Sequence, residues 1–282
     1  MKVSVIGLGL MGGSFALALK QNDSGTMIYG IDKNKDHEAA AIKNNIVDTC
    51  VPLEEGISKS EVIIIATPVD TISYLLPQVL NLMSPEQLLI DLGSTKSYLC
   101  ESVKNHTLRG RYVAAHPMAG TENTGPLAAF ATLYEGAINV VCDQHYSDDS
   151  ALKLALKLFD DVGMKTVFMD SEDHDQHVAY ISHLSHISSF MLGLTVLNKE
   201  KDEKNVANLA GSGFESTVRL AKSSPEMWAP IFAQNKKFVS KALAEYIDQL
   251  SVFKQMIDAE DSPGMSEAMK KANDIRRILL KH

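Results

Sequence analysis

Three glycines near the start of the chain are spaced as in loops that bind a dinucleotide. The six residues from position 7 read G-L-G-L-M-G, directly after an apolar run and before a helix-like stretch. In such a loop the first glycine permits a tight turn, the second lets the backbone approach a pyrophosphate, and the third allows close helix–strand packing. A glycine-rich turn without a ligand is the alternative. The residues expected to hold the cofactor are Gly7, Leu8, Gly9, Leu10, Met11 and Gly12.

An acidic residue follows at the spacing that such a loop requires. Asp32 comes directly after the apolar run Met27–Ile31, about twenty residues past the last glycine. A carboxylate there accepts hydrogen bonds from the adenosine ribose hydroxyls and repels a 2′-phosphate, which favours NAD over NADP. Thr67 and Pro68 follow a later apolar run. They either face the nicotinamide half of the cofactor or form an ordinary loop turn.

Two further apolar runs end in polar residues suited to acid–base chemistry. Ser94 follows the run Leu88–Leu92, and His116 follows Tyr112–Ala115. Since ligands of open α/β sheets bind outside the carboxyl ends of the strands, we expect both side chains at one site. A lone histidine is more often structural, but the loop around His116 is bounded by proline and glycine, which favours function. An ordinary histidine pKa of about 6.5 suits a general base at neutral pH.

The second half of the chain offers more histidines and an arginine. Residues 173–177 read D-H-D-Q-H, and His183 and His186 stand three apart, which places them on one helix face. A metal site is one interpretation of these groups, and acids at a helix start are the other. We expect no metal, because hydride transfer to NAD does not need one. Arg219 carries a planar fork of donors that suits a carboxylate, although a surface charge is the usual role of arginine.

Short apolar runs alternate with helix-like stretches in the first two-thirds of the chain. This alternation predicts a parallel sheet with helices on both faces, a Rossmann-type α/β unit. The runs are mostly continuous rather than alternating, as in strands that are covered on both faces. The predicted strands are Lys2–Ile6, Met27–Ile31, Val62–Ala66, Leu88–Leu92, Tyr112–Ala115, Ile138–Cys142 and Lys165–Met169.

The pattern changes after Met169. No strand pattern follows, and apolar residues recur at helical spacing over three long stretches. These stretches are Asp175–Asn198, Pro225–Ala259 and Pro263–Leu280. The sequence therefore predicts two domains, a dinucleotide-binding domain over residues 1–170 and an all-helical substrate and dimerisation domain over residues 171–282.

Composition narrows the class of protein. The 282 residues include 27 Lys and Arg against 35 Asp and Glu, a net charge of −8, which argues against binding of nucleic acid. No apolar run approaches the roughly 20 residues of a membrane helix, and the N-terminus lacks a signal-peptide cleavage pattern. Three widely spaced cysteines are typical of reduced thiols, so we expect a cytoplasmic protein without a membrane partner.

Five segments together resemble the prephenate dehydrogenases, a family that also contains arogenate dehydrogenases. The glycine motif is weak by itself, whereas the last three segments are specific, and all five follow the family's order over nearly the whole chain. The segments are GLGLMGGS at 7–14, DLGSTK at 91–96, AHPMAGTE at 115–122, SHLSH at 182–186 and GSGFESTVRLAKSSPEMW at 211–228.

The resemblance implies an NAD-dependent enzyme of tyrosine biosynthesis. Hydride would leave the hydroxyl-bearing ring carbon of prephenate, the ring carboxylate would leave as carbon dioxide, and 4-hydroxyphenylpyruvate would form. His116 would accept a hydrogen bond or proton from the ring hydroxyl, and Ser94 would hold His116 in the right tautomer. The substrate-binding residues that the resemblance implies are His183, His186, Arg219 and Glu122, the last as a gate or as a partner of the arginine.

Other substrates and roles stay open at this point. Arogenate carries an ammonium, which needs acidic partners. Segment 182–186 offers hydroxyls and imidazoles, and Glu122 and Glu215 are the nearby acids, so prephenate is favoured. A 3-hydroxyacid dehydrogenase would generally rely on a lysine in the helical domain, and no lysine here stands in a comparable motif. An NAD-binding sensor without chemistry would not need a serine, histidines and arginine together.

The resemblance also bears on assembly. Apolar residues are frequent over Ile231–Phe253, and the family is similar in forming dimers through this domain, so we expect a homodimer. Some relatives carry an acid three residues before the matching arginine, where this chain has Ser216, which puts an ionic gate at that position in doubt. The chain ends soon after the helical domain, so we expect neither a regulatory domain nor a fused chorismate mutase.

Overall fold

The sheet that the apolar runs predict is present and has eight strands. The computed structural model describes residues 1–199 and 203–279. All seven predicted strands are confirmed to within two residues at either end, and a two-residue strand, too short to give an apolar run, was not foreseen. The strands are β1 (Lys2–Ile6), β2 (Met27–Ile31), β3 (Thr49–Cys50), β4 (Val62–Ile65), β5 (Leu88–Asp91), β6 (Tyr112–Pro117), β7 (Ile138–Cys142) and β8 (Lys165–Met169).

The strand order is β3-β2-β1-β4-β5-β6-β7-β8. Every neighbouring pair is parallel except β6 and β7, which pair antiparallel with His116 opposite Val140. The prediction of a parallel sheet is therefore corrected at this pair. The physical reason is the connection, since residues 118–137 contain only one short 3₁₀ turn, Pro126–Ala128, and no helix that could cross the sheet.

Burial on both faces explains why the strands read as continuous apolar runs. All four residues of β4 and all four of β5 are buried, and all of their side chains except that of Asp91 alternate between two apolar clusters. Phe15 belongs to the cluster on one face, and Leu76 belongs to the cluster on the other. The sheet thus forms a rigid middle layer whose carboxyl edge can hold functional groups in fixed positions.

The topology brings the predicted site residues to one edge of the sheet. The chain order reverses between β1 and β4, and ligands of open α/β sheets bind in the crevice at such a point. Gly7 follows β1, Thr67 lies two residues after β4, and Ser94 follows β5. His116 is the second-last residue of β6. Four sequence-distant segments therefore end beside one another because of strand order alone.

Helices account for the rest of the described elements. The predicted absence of strands after residue 169 holds over the residues that the structure describes, and Leu280 of the last predicted stretch falls outside them. The helices are α1 (Leu10–Asn22), α2 (Lys35–Lys43), α3 (Leu53–Lys59), α4 (Val69–Leu82), α5 (Ser97–Ser102), α6 (Asp149–Asp161), α7 (Ser171–Val178), α8 (Leu184–Lys199), α9 (Glu203–Leu209), α10 (Ser212–Val218), α11 (Pro225–Gln234), α12 (Lys236–Asp258), α13 (Ser262–Ala272) and α14 (Arg276–Leu279).

All three predicted helical stretches are interrupted: the third contains a 3₁₀ turn over Asn273–Ile275, and the first two are broken as follows. A π-helical turn over Ala179–His183 joins α7 to α8, and a break at Asn235 separates α11 from α12. The Asn235 side chain donates a hydrogen bond to the backbone carbonyl of Asp175 over 2.7 Å. π-helical turns are frequent at functional sites, and both interruptions lie beside the residues described below.

By packing, the chain forms two compact units, Met1–Lys236 and Lys237–His282. The predicted boundary at residue 170 therefore lies within the first unit, and it stays a prediction about domains. In the first unit the carboxylate of Asp175 accepts hydrogen bonds from the backbone N–H groups of Lys96 and Ser97, which ties α7 to the start of α5. Over the described residues, no helix combines the length and the apolar character that crossing a membrane would take.

Candidate active site

The glycine loop after β1 has no room for a side chain at two of its three glycines and leaves open space at the third. Helix α1 begins after Gly9, with no acid in its first turn. Gly7 has φ +96°, and a Cβ there would lie 2.7 Å from the Ala66 carbonyl oxygen; a Cβ on Gly12 would collide with the carbonyl of Gly7. A Cβ on Gly9 would instead point into open space. The loop therefore leaves a free approach to the positive end of a helix, which suits a pyrophosphate.

Asp32 is fixed beside this loop at the end of β2. Its carboxylate accepts hydrogen bonds from the backbone N–H of Leu8 at 2.8 Å and of Asn34 at 2.9 Å, and Nδ1 of His37 lies 3.4 Å away. A carboxylate has about four lone-pair sites, so it can still accept from ribose hydroxyls. The geometry therefore fits the adenosine side of a dinucleotide.

One cavity of about 540 Å³ runs from the glycine loop to the helices after residue 180. It is lined by most of the residues that the sequence predicts for cofactor and substrate. Those in its wall are Gly9, Leu10, Met11, Thr67, Pro68, Ser94, His116, Glu122, His186 and Arg219. Thr67 adds a buried hydroxyl that has no hydrogen-bond partner in the described part of the chain, which suits a polar contact with a ligand.

His116 is the most enclosed titratable group in this wall, at 8% exposure. Burial lowers the pKa of His116 well below its ordinary value, and His174 when protonated, the charge of Lys96, and His183 when protonated each lower it further. The expectation of an ordinary pKa for His116 is therefore corrected, because the ring is buried where β6 places it. A neutral imidazole can accept a hydrogen bond at neutral pH.

The hydrogen-bond partner of His116 is not the predicted one. Its Nδ1 lies 2.8 Å from Nε2 of His174, whereas Ser94 lines the cavity and forms no hydrogen bond with the ring. Nδ1 of His174 lies 2.8 Å from Oδ1 of Asp175. No local sequence pattern joins segment 173–177 to His116, because His174 lies 58 residues further along the chain.

A buried ion pair supports the loop that carries Ser94. Lys96 and Asp91 are both fully buried and are joined through Nζ and Oδ2. The same carboxylate accepts a hydrogen bond from the Tyr112 hydroxyl at 2.7 Å and from the Gly93 backbone at 2.9 Å. The ion pair of Asp91 with Lys96 was not predicted, because segment 91–96 was identified only as a family motif. A buried pair with all its partners in place fixes the path of residues 91–96.

The two histidines of segment 182–186 have different surroundings. His186 lines the cavity and stacks on Trp228 with ring centroids 3.5 Å apart. His183 is 1% exposed, outside the cavity wall, with Nδ1 3.2 Å from Nδ2 of Asn235. Burial is the main reason that the pKa of His183 falls to about 4. The prediction that His183 contacts substrate is not supported, because its ring packs against Trp228 and Phe232.

Arg219 and Glu122 meet across the mouth of the cavity. Their charged atoms are 3.7 Å apart, and their side chains are 56% and 38% exposed. Ser216, which replaces the acid of some relatives, donates its hydroxyl hydrogen bond to the carbonyl of Gly213 instead. The pairing of Glu122 with Arg219 was foreseen as one of two roles for the glutamate.

The acids near the cavity differ in part from those expected. Glu226 lies in the wall, where it accepts a hydrogen bond from the Ser224 hydroxyl at 2.8 Å. Glu215 is not in the wall and lies 3.8 Å from Lys222. Because the cavity holds a glycine loop, a neutral buried imidazole and an exposed arginine, it can bind a dinucleotide beside an anionic substrate and accept a proton from it.

Comparison with known proteins gives consistent matches along the chain. A family model described as "Prephenate dehydrogenase, nucleotide-binding domain" matches residues 15–168, and one described as "Prephenate dehydrogenase, dimerization domain" matches residues 170–271. A prephenate dehydrogenase of Bacillus subtilis (strain 168) is 32% identical over 278 residues, which are 97% of this chain and 75% of that protein.

Solved structures agree in fold. Prephenate dehydrogenase from A. aeolicus, in complex with hydroxyphenyl propionate and NAD⁺, superposes with a TM-score of 0.90 at 30% identity and covers 99% of this chain and 98% of that chain. Arogenate dehydrogenase of Synechocystis superposes with a TM-score of 0.79 at 28% identity, over 99% and 100% of the two chains. Since both substrate names occur among similar proteins, substrate choice has to be argued from the site.

Proposed function

The chain belongs to the prephenate dehydrogenase family, and from this premise we propose that it oxidises and decarboxylates prephenate with NAD⁺, as a step of tyrosine biosynthesis. The observation that carries the proposal is that one cavity is lined by residues of the glycine loop, by His116 and by Arg219. A 3-hydroxyacid dehydrogenase is not supported, since the family matches extend through the helical segments.

The residues of the sheet edge fit the cofactor. Backbone N–H groups at the start of α1 would hold the pyrophosphate, and Asp32 would accept hydrogen bonds from the adenosine ribose. Thr67 and Pro68 would line the nicotinamide half. NAD⁺, when bound, supplies the acceptor for a hydride from the substrate.

His116 would act on the ring hydroxyl of prephenate. As hydride leaves the hydroxyl-bearing carbon, the hydroxyl proton becomes acidic and a neutral imidazole accepts its hydrogen bond or the proton itself. The electrons of the bond to the ring carboxylate then enter the ring, carbon dioxide departs, and the proton remains with or returns to the phenol oxygen. The lowered pKa of His116, caused chiefly by burial, keeps the ring in the accepting form.

Arg219 and His186 would hold the substrate at the other end. The guanidinium of Arg219 is positioned to receive a carboxylate, and Glu122 would give way to it, because an exposed pair at 3.7 Å contributes little. His186, stacked on Trp228, offers a flat polar wall. Ser94, which lines the same cavity as His116, would offer its hydroxyl to the substrate.

We infer a preference for prephenate over arogenate. The ammonium of arogenate needs an acidic partner when it leaves water. Among the described residues of the wall, the acids Glu122 and Glu226 are both exposed, so neither offers a buried partner to that ammonium. A keto acid needs no such partner, which supports prephenate.

The test follows NADH absorbance with purified protein. Prephenate with NAD⁺ should give NADH and 4-hydroxyphenylpyruvate, and kcat/KM should be higher for prephenate than for arogenate. No NADH from either substrate would refute the proposed function. Arogenate used more than about tenfold better would refute the preference and leave the dehydrogenase assignment in place.

We also propose a homodimer in the cytoplasm. The match of residues 170–271 to a dimerization domain supports the assembly. Within the second compact unit, exposed apolar side chains support it further: Ile247, Leu250, Val252, Ile257 and Met269. The free state of Cys50, Cys100 and Cys142 supports a reducing compartment. Light scattering should give twice the 30.8 kDa chain mass, and a monomer at micromolar concentration would contradict the dimer.

A further inference from the structure

Segment 173–177 contains two buried residues that the proposed reaction has not used. His174 is 1% exposed and Asp175 is 3% exposed, whereas Asp173, Gln176 and His177 on the same helix face solvent. A charged residue this deeply buried in α7 is expected to have specific partners. The partners lead directly to His116.

The three side chains form one line of hydrogen bonds. Nδ1 of His116 lies 2.8 Å from Nε2 of His174, and Nδ1 of His174 lies 2.8 Å from Oδ1 of Asp175. The carboxylate also accepts hydrogen bonds from the backbone N–H of Lys96 at 2.8 Å and of Ser97 at 2.9 Å. Both of its oxygens are thus fixed as acceptors.

Donor and acceptor roles along this line follow from the fixed carboxylate. Backbone N–H groups can only donate, so Asp175 must accept, and Nδ1 of His174 must be the nitrogen that carries hydrogen. In neutral His174, Nε2 is then an acceptor, so Nδ1 of His116 must donate to it. The lone pair of His116 is left on Nε2, and an isolated neutral histidine favours the opposite tautomer.

We propose that His174 and Asp175 are positioning residues that hold His116 in the Nδ1–H tautomer, with Nε2 free to accept from the substrate hydroxyl. The proposal rests on the proposed function for the identity of the substrate. It assigns to His174 the orienting role that the resemblance gave to Ser94. The logic is that of any histidine whose reactive nitrogen is set by the hydrogen bond at the other nitrogen.

The alternative is that the pair merely anchors α7 to the loop at residues 96–97. Under that alternative any substitution that preserves folding would leave chemistry unchanged. Positioning, by contrast, requires an acceptor facing His116 and a donor facing Asp175. A glutamine at position 174 offers both, through its carbonyl oxygen and its amide N–H, and a phenylalanine offers neither.

The tautomer can be read directly in the wild-type protein. Two-bond ¹H–¹⁵N correlation spectra, assigned with the H116N variant, should show His116 protonated on Nδ1 at pH 7.5. An Nε2–H pattern would overturn the proposal without any variant of α7. An Nδ1–H pattern in a protein that forms no NADH would support the tautomer assignment and overturn the proposed function instead.

Three variants then test the consequence for turnover. H174F should lower kcat with prephenate by about 10–100-fold, the range for partners that orient functional histidines, while the KM for NAD⁺ stays unchanged. H174Q should recover most of that loss, and H177F, a solvent-facing change on the same helix, should match wild type. Thermal unfolding confirms that each variant is folded. If folded H174F keeps full activity, or folded H174Q and H174F lose it equally, the proposal fails.

Discussion

The two sides of the cavity differ in how far their functional groups are removed from water. On the sheet side, Asp91 and Lys96 are fully buried and His116 is 8% exposed, each with specific partners. On the helical side, the Arg219 side chain is 56% exposed, and its partner Glu122 is 38% exposed. The residues of the chemical step therefore lie on the sheet side, where side chains are held in fixed positions. The residues that bind the substrate lie on the helical side, where the exposed charge of Arg219 can still change its position.

Energetics separate the same two sides. A buried ion pair that loses one partner leaves a costly charge, about 3–5 kcal/mol, so Asp91 and Lys96 do not rearrange when ligands come and go. An exposed pair such as Arg219 with Glu122 contributes only about 0.2–1 kcal/mol, so an incoming carboxylate can replace the glutamate. The difference predicts that changes on the sheet side act on kcat and that changes on the helical side act on KM.

The largest effect is expected at His116. H116N keeps a polar group of similar size but removes the base, and general acid–base groups contribute about 10²–10⁴-fold. The kcat with prephenate should fall by that factor. The Kd for NAD⁺, measured by fluorescence titration, should stay near the wild-type value, because the glycine loop is a separate part of the sheet edge.

The exposed His177 provides the control, since H177N changes the same residue type away from the cavity. If the kcat of H116N with prephenate is within about threefold of the wild-type value, His116 is not the base. The chemical step would then not depend on the buried sheet side of the cavity.

A smaller effect is expected at Arg219. R219Q removes the charge but keeps hydrogen-bonding atoms, and hydrogen bonds to charged groups contribute about 1.5–3 kcal/mol. The KM for prephenate should rise by about 10–100-fold with kcat lowered much less. Steady-state kinetics at saturating NAD⁺ measure both constants.

Lys222 lies on the same short 3₁₀ turn, Arg219–Lys222, and its charge pairs loosely with Glu215, so K222Q is the matched control. A variant R219Q that loses kcat and keeps KM would mean that the helical side takes part in the chemical step.

The two sides also differ in how well the sequence predicts them. The strands of the sheet could be predicted because burial on both faces leaves continuous apolar runs, and Gly7 could be placed because its φ of +96° favours glycine. The substrate-binding role of the exposed Arg219 was predicted from the family resemblance, because no local pattern distinguishes this arginine from a surface charge.

Long-range contacts account for what the sequence did not predict. The hydrogen-bond partner of His116 is 58 residues away, and Asn235, whose side-chain amide contacts His183, is 52 residues away. Neither pair leaves a periodic signal, so the contact of His174 with His116 was not predicted, and His183 was expected to bind substrate. The antiparallel pairing of β7 was missed for a related reason, since an apolar run does not record the direction of its neighbour.

A further prediction concerns the cofactor end of the sheet side. D32S removes the acceptor for the ribose and also the hydrogen bond from Leu8, so affinity for NAD⁺ should fall by about tenfold. Use of NADP⁺ relative to NAD⁺ should rise, because the repulsion of a 2′-phosphate is gone. The ratio of kcat/KM for the two cofactors measures the change. D36S, on the neighbouring helix and facing solvent, is the control. Wild-type protein that already prefers NADP⁺ would contradict the role of Asp32.

The smallest expected effect is in the pH profile, and it tests the burial difference itself. Burial first, and then His174 when protonated, the charge of Lys96 and His183 when protonated, hold the pKa of His116 well below its ordinary value of about 6.5. Burial also lowers the pKa of His186, against a hydrogen bond to the Ser182 carbonyl that raises it. The accepting form of His116 exists above its pKa, so kcat/KM for prephenate should stay level as the pH falls from 8 through about 6.5 and decline only below that.

Stability has to be followed alongside this profile, because it responds to the same shift. The unfolded chain takes up a proton near pH 6.5 while folded His116 does not, so the free energy of unfolding is greatest above that pH and decreases below it. Circular dichroism at each pH separates this loss from a change in kcat/KM. If kcat/KM of the folded enzyme instead halves near pH 6.5, His116 titrates like a hydrated histidine. His116 would then be accessible to water, as Arg219 is. A difference in burial could not explain why the two sides of the cavity have different roles.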